Sequence, residues 1–352
     1  MIIDRSEKIK SVLTLMPDCH IGNLVVSLPA IVALQQYFKG ATHHFVVDAA
    51  FKEIVETVID PAYTMFYPRK QTNQGNIVLR MLIYYKFLGQ IKRIHPDIVV
   101  DLEGGSTSAT LCKISGAPIS FSRANADKSS VYTVKVPLSQ ERHKVYNYTD
   151  IASAVGAKID EKPFRFYPEE KKKQKVEKLL IESGITEDRP IVCIHPGAGR
   201  LQKLWTISGF VDVTEWLTHK GCQVVFIGGP AEAERAEEII ALLSRQTYNY
   251  VGKLSLGELL ALLEKSTVFL GNDSGPMHMA AAMGTAVVAM FSYANDTEWG
   301  PRSKRFKVLR GQKSCEDCLG KKCQNPVCIN TLSAEPVKEA LSSFLDDNCS
   351  LT

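Results

Sequence analysis

The chain alternates, in two separate series, between short apolar runs and segments whose apolar residues recur at helical spacing. In the first series, residues 12–16, 44–47 and 98–102 are apolar runs, and residues 24–38 have helical periodicity. The second series starts at PIVCIHPGAG and continues through CQVVFIGGP, TVFLGNDSGP and AVVAMFS, with helical patterns between them. Such alternation is typical of parallel sheets covered by helices. We therefore predict an α/β protein of two doubly wound domains with a cleft between them.

The domain boundary is predicted near the middle of the chain. With 352 residues, the chain is longer than the roughly 250–300 residues at which single cores stop growing. In the segment EKPFRFYPEEKKKQKVEKLLIESG, two prolines and a charge run at 169–173 precede an amphipathic helix, and the run is predicted to be a solvated helix face. We predict domains over residues 1–165 and 166–330, followed by a helical segment over residues 331–352.

Composition is that of an ordinary globular protein. The net charge is +4, and 45% of the residues are hydrophobic and 23% charged, which is a usual balance. No apolar run approaches the ~20 residues of a membrane-spanning helix, and the segment MIIDRSEKIKSVLTLM lacks a secretory signal pattern. We therefore expect a cytoplasmic protein whose nine cysteines stay reduced.

Ligands of open α/β sheets bind where strands end and loops begin, so the loops after predicted strands hold the candidate site. In HPGAGRLQKLW, which starts at His195, Gly197 and Gly199 allow close approach of the backbone to a ligand, while Arg200 and Lys203 supply cations. A glycine-rich turn with solvated basic residues is the alternative. Neither a P-loop nor a Rossmann glycine pattern follows any strand. Phosphate binding is therefore expected to use a helix N-terminus with Lys203 or Arg200.

The segment FLGNDSGPMHMAAAMG combines the end of a strand with the start of a helix. Asn, Asp and Ser are good helix N-caps, and Pro276 is tolerated in the first helical turn. The backbone amides of that turn also form an anion site. We predict that both interpretations apply to the residues at 272–276.

Three segments carry a resemblance to a known family. CHIGNLVVSLPAIVALQQYF, IHPGAGRLQKLW and FLGNDSGPMHMAAAMGTAVVAMF resemble, in order and spacing, hallmark segments of glycosyltransferase family 9, the lipopolysaccharide heptosyltransferases. The resemblance implies the GT-B fold, with two Rossmann-like domains facing across a cleft. The first domain would bind the acceptor and the second the nucleotide sugar, and the helix in residues 331–352 would pack back toward the first domain.

The family activity implied by this resemblance is transfer of a heptose from ADP-heptose to a lipopolysaccharide core acceptor. The transfer would invert the sugar carbon and use neither a metal nor another cofactor. Lys203 matches the lysine that holds the donor phosphates, and the segment VGKLSLGEL resembles the strip that recognises adenine. The implied donor-binding residues are His195, Gly197, Gly199, Gly252, Lys253, Leu254, Asp273, Ser274, Gly275, Pro276 and His278.

One position departs from the family pattern. The family places its catalytic aspartate directly after the glycine of the first segment, but this chain has Asn23 there. An amide orients a hydroxyl but cannot accept its proton. Three alternatives stay open: Asp18 or His20 acts as the base, Asp101 or Glu103 reaches the cleft, or the protein binds a sugar nucleotide without transfer. A GT-B sugar-nucleotide 2-epimerase is a further alternative, although its several converging carboxylates are not evident in these motifs.

Four cysteines near the C-terminus have the spacing C-x2-C-x4-C-x4-C. Cys315, Cys318, Cys323 and Cys328 suit a tetrahedral zinc or an iron–sulfur cluster. An ordered loop that carries thiols without a metal is the alternative, and the family resemblance favours it. The site prediction therefore includes no metal.

Residues 61–96 contain no acidic side chain. Six cations are spread among Tyr, Phe, Leu and Ile, namely Arg69, Lys70, Arg80, Lys86, Lys92 and Arg93. Such a surface suits an anionic lipid-linked acceptor or the inner face of the inner membrane. The alternative is an ordinary amphipathic helix with a basic outer face. No nucleic-acid partner is expected, since no recognised binding module accompanies the cations.

Overall fold

A computed structural model describes residues 9–73, 76–139, 141–160, 162–293, 295–311 and 320–349. The chain divides into two compact units, Met1–Phe164 and Arg165–Thr352. Each unit contains a six-stranded parallel sheet. The two doubly wound α/β units predicted from the alternation are therefore present.

In the first unit, strands and helices follow one another along the chain in the predicted manner. Its strands are β1 (Ser11–Met16), β2 (Thr42–Asp48), β3 (Thr64–Tyr67), β4 (Ile98–Asp101), β5 (Ile119–Arg123) and β6 (Val134–Val136), and its helices are α1 (Ile21–Tyr37), α2 (Lys52–Val55), α3 (Arg69–Asn73), α4 (Ile77–Ile94), α5 (Ser106–Ser115) and α6 (Val145–Val155). The strand order is β3-β2-β1-β4-β5-β6. The order reverses between β1 and β4, where a doubly wound sheet opens its binding crevice.

The central strands of the first sheet are buried because helices cover both faces. β4 is buried over its whole length and β1 over all but its first residue, which explains their nearly continuous apolar sequence. On one face, Leu13 and Val99 pack with Phe87 and Ile91 of α4. In the register of β1 with β4, Leu15 pairs with Asp101. The loops that leave these two strands therefore start side by side.

The second unit repeats the arrangement. Its strands are β7 (Ile191–His195), β8 (Gln223–Phe226), β9 (Tyr248–Asn249), β10 (Val268–Asn272), β11 (Ala286–Met290) and β12 (Phe306–Leu309), and its helices are α7 (Glu170–Glu182), α8 (Ile207–His219), α9 (Ala233–Ala241), α10 (Leu256–Lys265), α11 (Gly275–Met283), α12 (Asp296–Trp299), α13 (Val327–Asn330) and α14 (Ala334–Cys349). The order is β12-β11-β10-β7-β8-β9, with the reversal between β10 and β7.

The C-terminal helix α14 belongs to the core of the second unit. Val337 and Leu341 are fully buried and join the same cluster as Trp205 and Phe210. The indole Nε1 of Trp205 also donates a hydrogen bond to the carbonyl of Leu332 at 2.8 Å. The apolar face of α14 therefore completes the core of its own unit. That residues 331–352 pack back toward the first domain stays a prediction.

The charge run at 169–173 is the largely exposed start of α7 that was predicted, and only Lys172 and Lys173 in it are half-buried. Lys173 lies 2.8 Å from the carboxylate of Glu264, and Lys175 lies 2.5 Å from that of Glu258, so that two ion pairs join α7 to α10.

Across the described ranges, no helix is both long enough and apolar enough to cross a bilayer.

Candidate active site

The carboxyl ends of β7 and β10 are neighbours at the point where the second sheet reverses its strand order. Gly271 pairs with His195 in their register. β7 ends with His195 and β10 with Asn272, so the loops leaving both strands start close together. Ligands of doubly wound sheets bind at such a point. The structure thus brings together the two motifs that the sequence singled out.

Asn272 fastens one loop to the other. Its side chain is fully buried. The amide oxygen accepts a hydrogen bond from the backbone N–H of Trp205 at 3.0 Å, and the amide nitrogen donates to the carbonyls of Pro196 and Gly197, both at 3.0 Å. One side chain therefore holds both ends of the loop that follows β7. Sequence reasoning treated Asn272 only as a helix cap. The sequence feature that could have indicated this role is a polar residue at the end of a buried strand.

Lys203 and Asp273 form an ion pair in this crevice. The ammonium nitrogen lies 2.5 Å from Oδ2 of Asp273, and the two side chains are 22% and 6% exposed. Limited exposure to water strengthens the attraction between the two charges. Lys203 stands in the 3-10 turn Leu201–Lys203, inside the loop that Asn272 holds. The two residues predicted to bind the donor therefore lie at one place and neutralise each other.

Ser274 directs its hydroxyl to His195. Its Oγ lies 3.2 Å from Nδ1 of the imidazole, and it makes no side-chain hydrogen bond to α11, of which it is the N-cap residue. Burial lowers the pKa of His195 to about 4, so the ring is neutral near pH 7. The His195–Ser274 contact is therefore a neutral polar contact rather than a charged one.

The first turn of α11 presents backbone N–H groups beside the ion pair. A helix leaves the N–H groups of its first turn without intrahelical acceptors, and its dipole places positive potential there. Pro276 has no N–H, and Ser274 supplies no side-chain cap, so Gly275 and Met277 are the donors of this turn. Such a helix start binds phosphate groups. The segment is the helix entry that was predicted, although the Ser274 side chain does not cap it. Anion binding by its amides stays a prediction.

His278 lies in α11 immediately after this turn. It is buried, and its ring meets the ring of Trp299 edge-on, with the centroids 6.4 Å apart. This packing joins α11 to α12. A contact of His278 with the donor stays a prediction.

The two glycines of the loop after β7 differ in their surroundings. A Cβ at Gly197 would overlap the side chain of Glu232, whereas nothing lies within 4 Å of a Cβ at Gly199. The space predicted for a ligand beside Gly197 is therefore filled by Glu232, and the backbone at Gly199 is the open one. Glu232 also lies within 3.3 Å of the Cβ positions at Gly228 and Gly229. No local sequence pattern predicted these contacts.

The strip predicted to recognise adenine follows β9. Gly252 has a φ of +72°, in the left-handed region that favours glycine. Its N–H donates to the carbonyl of Gly228 at 2.9 Å, which ties the strip to the Gly-Gly-Pro loop after β8. The ammonium of Lys253 donates to the carbonyl of Asn249 at 2.7 Å. Leu254 is half-buried. The strip thus lies at the same edge of the sheet as the ion pair.

The crevice of the first unit gathers carboxylates at the ends of β1, β2 and β4. Oε2 of Glu103 accepts a hydrogen bond from the backbone N–H of Asp18 at 2.9 Å. Arg69 lies between Asp18 and Asp48, with its nearest nitrogen atoms 3.4 Å and 3.6 Å from their carboxylate oxygens. Arg69, which the sequence analysis placed on a basic surface, therefore bridges two carboxylates of this crevice.

Glu103 is a half-buried carboxyl with a raised pKa. Burial raises the pKa to about 7, and the charges of Asp101 and Asp18 act in the same direction. The hydrogen bond from the Asp18 N–H and the charge of Arg69 lower it. A carboxyl with a pKa near the working pH is suited to accept a proton and to release it.

Asp101 does not reach the crevice. It is fully buried and accepts hydrogen bonds from the N–H groups of Glu103 at 2.9 Å and Gly104 at 2.8 Å, and from the hydroxyl of Tyr132. Burial raises the pKa of Asp101. The alternative that Asp101 serves as the base is therefore wrong, because this side chain caps the turn after β4.

The remaining candidates of the first motif lie at the start of α1. His20 is the N-cap residue of α1 and is exposed, and Asn23 is half-buried in the first turn. Both stand in the segment that leaves β1. Their roles stay predictions.

Within the described ranges, no group of three or more His, Cys, Asp or Glu side chains is placed to hold a metal ion. Cys315 and Cys318 lie outside the described residues. Cys323 and Cys328 are half-buried.

A cavity of about 850 Å³ lies elsewhere in the second unit. Its lining includes Ile185 and Pro190, which precede β7, and Thr267, which precedes β10. These residues mark the amino ends of the strands. Since ligands of doubly wound sheets bind at the carboxyl ends, this cavity is not the candidate active site.

Comparison with known families identifies the arrangement. The family described as glycosyltransferase family 9 (heptosyltransferase) matches residues 84–328, which is more than half of the chain and includes the whole second crevice. The chain belongs to glycosyltransferase family 9. The resemblance predicted from the three segments is confirmed, and the protein is a glycosyltransferase of the heptosyltransferase family. Family membership also favours a transferase over a 2-epimerase.

Two relatives show how far the similarity extends. The lipopolysaccharide core heptosyltransferase OpsX of Haemophilus influenzae is 34% identical over 123 residues, a match that spans only 34% of this chain and 35% of that protein. The lipopolysaccharide heptosyltransferase 1 of Campylobacter coli is 22% identical over 352 aligned residues, which cover 93% of this chain and 97% of the relative. Similarity to a lipopolysaccharide heptosyltransferase therefore extends over both units.

Solved structures of the family share the fold. The family 9 glycosyl transferase of Veillonella parvula has a TM-score of 0.82 at 20% identity, covering 96% of this chain and 98% of its own. The ADP-heptose lipopolysaccharide heptosyltransferase II of Escherichia coli has a TM-score of 0.77 at 19% identity, covering 96% and 99%. The predicted GT-B fold is thereby confirmed.

Proposed function

We propose that this family 9 member is an inverting, metal-independent heptosyltransferase that uses ADP-heptose and a lipopolysaccharide core acceptor. The observation that carries the proposal is the second crevice, where the first turn of α11 lies beside the Lys203–Asp273 pair. The donor is suggested by the Escherichia coli enzyme of the same fold, which is named for ADP-heptose.

The donor diphosphate is assigned to the start of α11. The N–H groups of Gly275 and Met277 donate to phosphate oxygens, and Lys203 supplies a positive charge. Adenine is assigned to the strip that contains Gly252, Lys253 and Leu254. When the bond between the sugar carbon and the diphosphate breaks, its electron pair moves to a phosphate oxygen. The helix dipole and Lys203 stabilise this developing charge, so the site needs no metal for that purpose.

The general base is assigned to Glu103. The acceptor hydroxyl forms its new bond to the sugar carbon from the face opposite the leaving ADP, and its proton must go to a base. Asn23 cannot accept that proton, but its amide can orient the hydroxyl. Glu103 has the pKa near 7 that this step requires, and the loop of Asp18 holds it through a backbone hydrogen bond. Asp18 then acts through its charge on Glu103.

The acceptor is assigned to the first unit. A lipopolysaccharide core is anionic and lipid-linked, and the stretch 61–96 has cations and no acidic residue. We propose that the protein works in the cytoplasm at the inner face of the inner membrane. A family member that binds sugar nucleotides without transfer is the alternative, and Asn23 is the observation that favours it.

Release of ADP tests the function directly. Purified protein is mixed with ADP-heptose, with and without a truncated lipopolysaccharide core, and ADP is measured over time. Release that requires the acceptor, together with a product of inverted configuration, supports the transferase. Tight binding of ADP-heptose without release from any core acceptor would establish the binding-only alternative.

A further inference from the structure

The first half of α4 carries the largest group of exposed large hydrophobic side chains among the described residues. Six of the thirteen exposed large hydrophobic side chains lie in the first half of this helix, namely Ile77, Val78, Leu79, Met81, Leu82 and Tyr85. Leu82 is 62% exposed. Scattered apolar residues on a surface need no explanation, but a contiguous patch indicates an interaction site.

The helix has two faces with different tasks. Phe87 and Ile91 are buried and pack on the sheet of the first unit. At 3.6 residues per turn, Val78, Leu82 and Tyr85 fall on the opposite face. Burial of the inward face is what packs α4 onto the sheet. The outward apolar residues do not take part in that packing.

Cations continue the outward face where the apolar residues end. Lys86, Lys92 and Arg93 are exposed, and within the described part of the chain none of them pairs with a carboxylate. Two cations that come before them are already engaged, because Arg69 holds Asp18 and Asp48, and Arg80 donates to the carbonyl of Thr72 at 2.8 Å. Among the described residues, Lys70 on α3 is also exposed and unpaired, and the other three exposed cations of this stretch lie in the second half of α4.

The partner of this surface must offer both an apolar phase and negative charge. A second copy of the chain bound through the same face in a two-fold dimer would present the same stretch, residues 61–96, which has no acidic side chain, so the cations would find no counter-charge there. An anionic bilayer offers its acyl boundary to the apolar turns and its phosphates to the cations.

We propose that α4 docks the protein on an anionic membrane, with residues 77–85 in the headgroup–acyl boundary and Lys86, Lys92 and Arg93 at the phosphate level. The choice of a bilayer rests on the proposed function, whose acceptor is lipid-linked. The surface itself follows from α4.

Sedimentation with vesicles tests this docking surface. The full chain is mixed with vesicles of phosphatidylcholine alone or of phosphatidylcholine and phosphatidylglycerol, without donor or acceptor. We expect binding to the anionic vesicles only, and weaker binding as salt increases. Leu82→Glu, and separately the pair Lys86→Glu and Lys92→Glu, should each reduce the bound fraction several-fold. These positions are exposed, and unchanged circular dichroism and melting temperature verify that each variant folds.

Ile181→Glu is the matched control, because Ile181 is an equally exposed apolar residue (70%) on α7 of the other unit. Its binding should equal that of the unchanged chain. Equal binding by Leu82→Glu, or a dimer in solution that Leu82→Glu dissociates, would overturn the proposal. If the unchanged chain binds anionic vesicles but transfers no sugar, the proposed enzyme function is refuted and the docking surface is not.

Discussion

At the scale of single residues, the two crevices use opposite electrostatic arrangements. In the second unit, the charges of Lys203 and Asp273 cancel within one shielded pair. In the first unit, Glu103 has acidic neighbours on two sides, and Arg69 compensates only part of their charge. A paired cation suits the binding of an anion that replaces its partner. A carboxyl whose pKa is raised by burial and by neighbouring negative charge suits proton transfer, since its acid and base forms are close in free energy near pH 7.

Lys203→Ala should weaken ADP binding. It removes a charge-assisted contact worth about 1.5–3 kcal/mol, or roughly a 10- to 150-fold loss of affinity in calorimetry. Lys265→Ala is the control, because Lys265 is also ion-paired, with Glu187 at 2.8 Å, but lies at the opposite edge of the same sheet. Melting temperatures without ligand separate loss of the ion pair from loss of the ligand contact. Unchanged ADP affinity in Lys203→Ala would reject its assignment to the phosphates.

Glu103→Gln should remove the acidic limb of the pH–rate profile. With a pKa near 7, the base form of Glu103 increases as pH rises through 7, so kcat/KM of the unchanged chain should rise over that range. The amide variant should have a flat, much lower profile.

Asp18→Asn discriminates between the two carboxyls. The charge of Asp18 raises the pKa of Glu103, so its removal should move the limb to lower pH while transfer persists. If instead Asp18→Asn loses the acidic limb of the pH–rate profile and Glu103→Gln keeps it, Asp18 is the base.

At the scale of elements, the second crevice depends on how β10 ends. Asn272 contributes three hydrogen bonds that hold the loop after β7. This loop carries Lys203, so the position of the cation depends on an amide that does not itself need to touch the ligand.

Asn272→Ala should destabilise the second unit by about 2–4 kcal/mol in urea denaturation, because it leaves buried backbone groups unpaired. ADP affinity should fall as well. Asn295→Ala is the control, since Asn295 is an exposed N-cap whose side chain accepts from the N–H of Thr297 at 3.0 Å, and its loss should cost about 1 kcal/mol without changing affinity. If both variants were equally stable, the hydrogen bonds of Asn272 would not be what holds the loop after β7.

At the scale of the whole molecule, each unit has its own sheet and core. All residues assigned to the donor belong to the second unit, and α14 supplies Val337 and Leu341 to its core. A fragment of residues 165–352 should therefore fold and bind ADP within several-fold of the full chain. A fragment that stops at residue 332 should not melt cooperatively, since Trp205 and Phe210 lose their covering. Circular dichroism and calorimetry check both fragments, and cooperative folding of the shorter one would contradict the role of α14.

Sequence reasoning predicted the fold and the second crevice because their signals are local. Strand–loop–helix alternation and the short motifs at 195–205 and 272–278 are visible within a few residues of one another. The two-residue strand β9 and the exposed β12 are too short for periodicity to reveal. The packing of α14 and the contact of Glu232 with Gly197 depend on distant parts of the chain. The raised pKa of Glu103 likewise depends on burial, which no local pattern encodes.

The Lys203–Asp273 pair should also select among the anions that enter the second crevice. A small inorganic ion must compete for the ammonium with a carboxylate that the chain keeps tethered 2.5 Å away. A nucleoside diphosphate has more charge and reaches the amides of α11 at the same time, so it can exchange with the carboxylate. We therefore expect the pair to favour nucleoside diphosphates over small inorganic anions. Chloride and phosphate in solution should then compete only weakly with nucleotide sugars for the crevice.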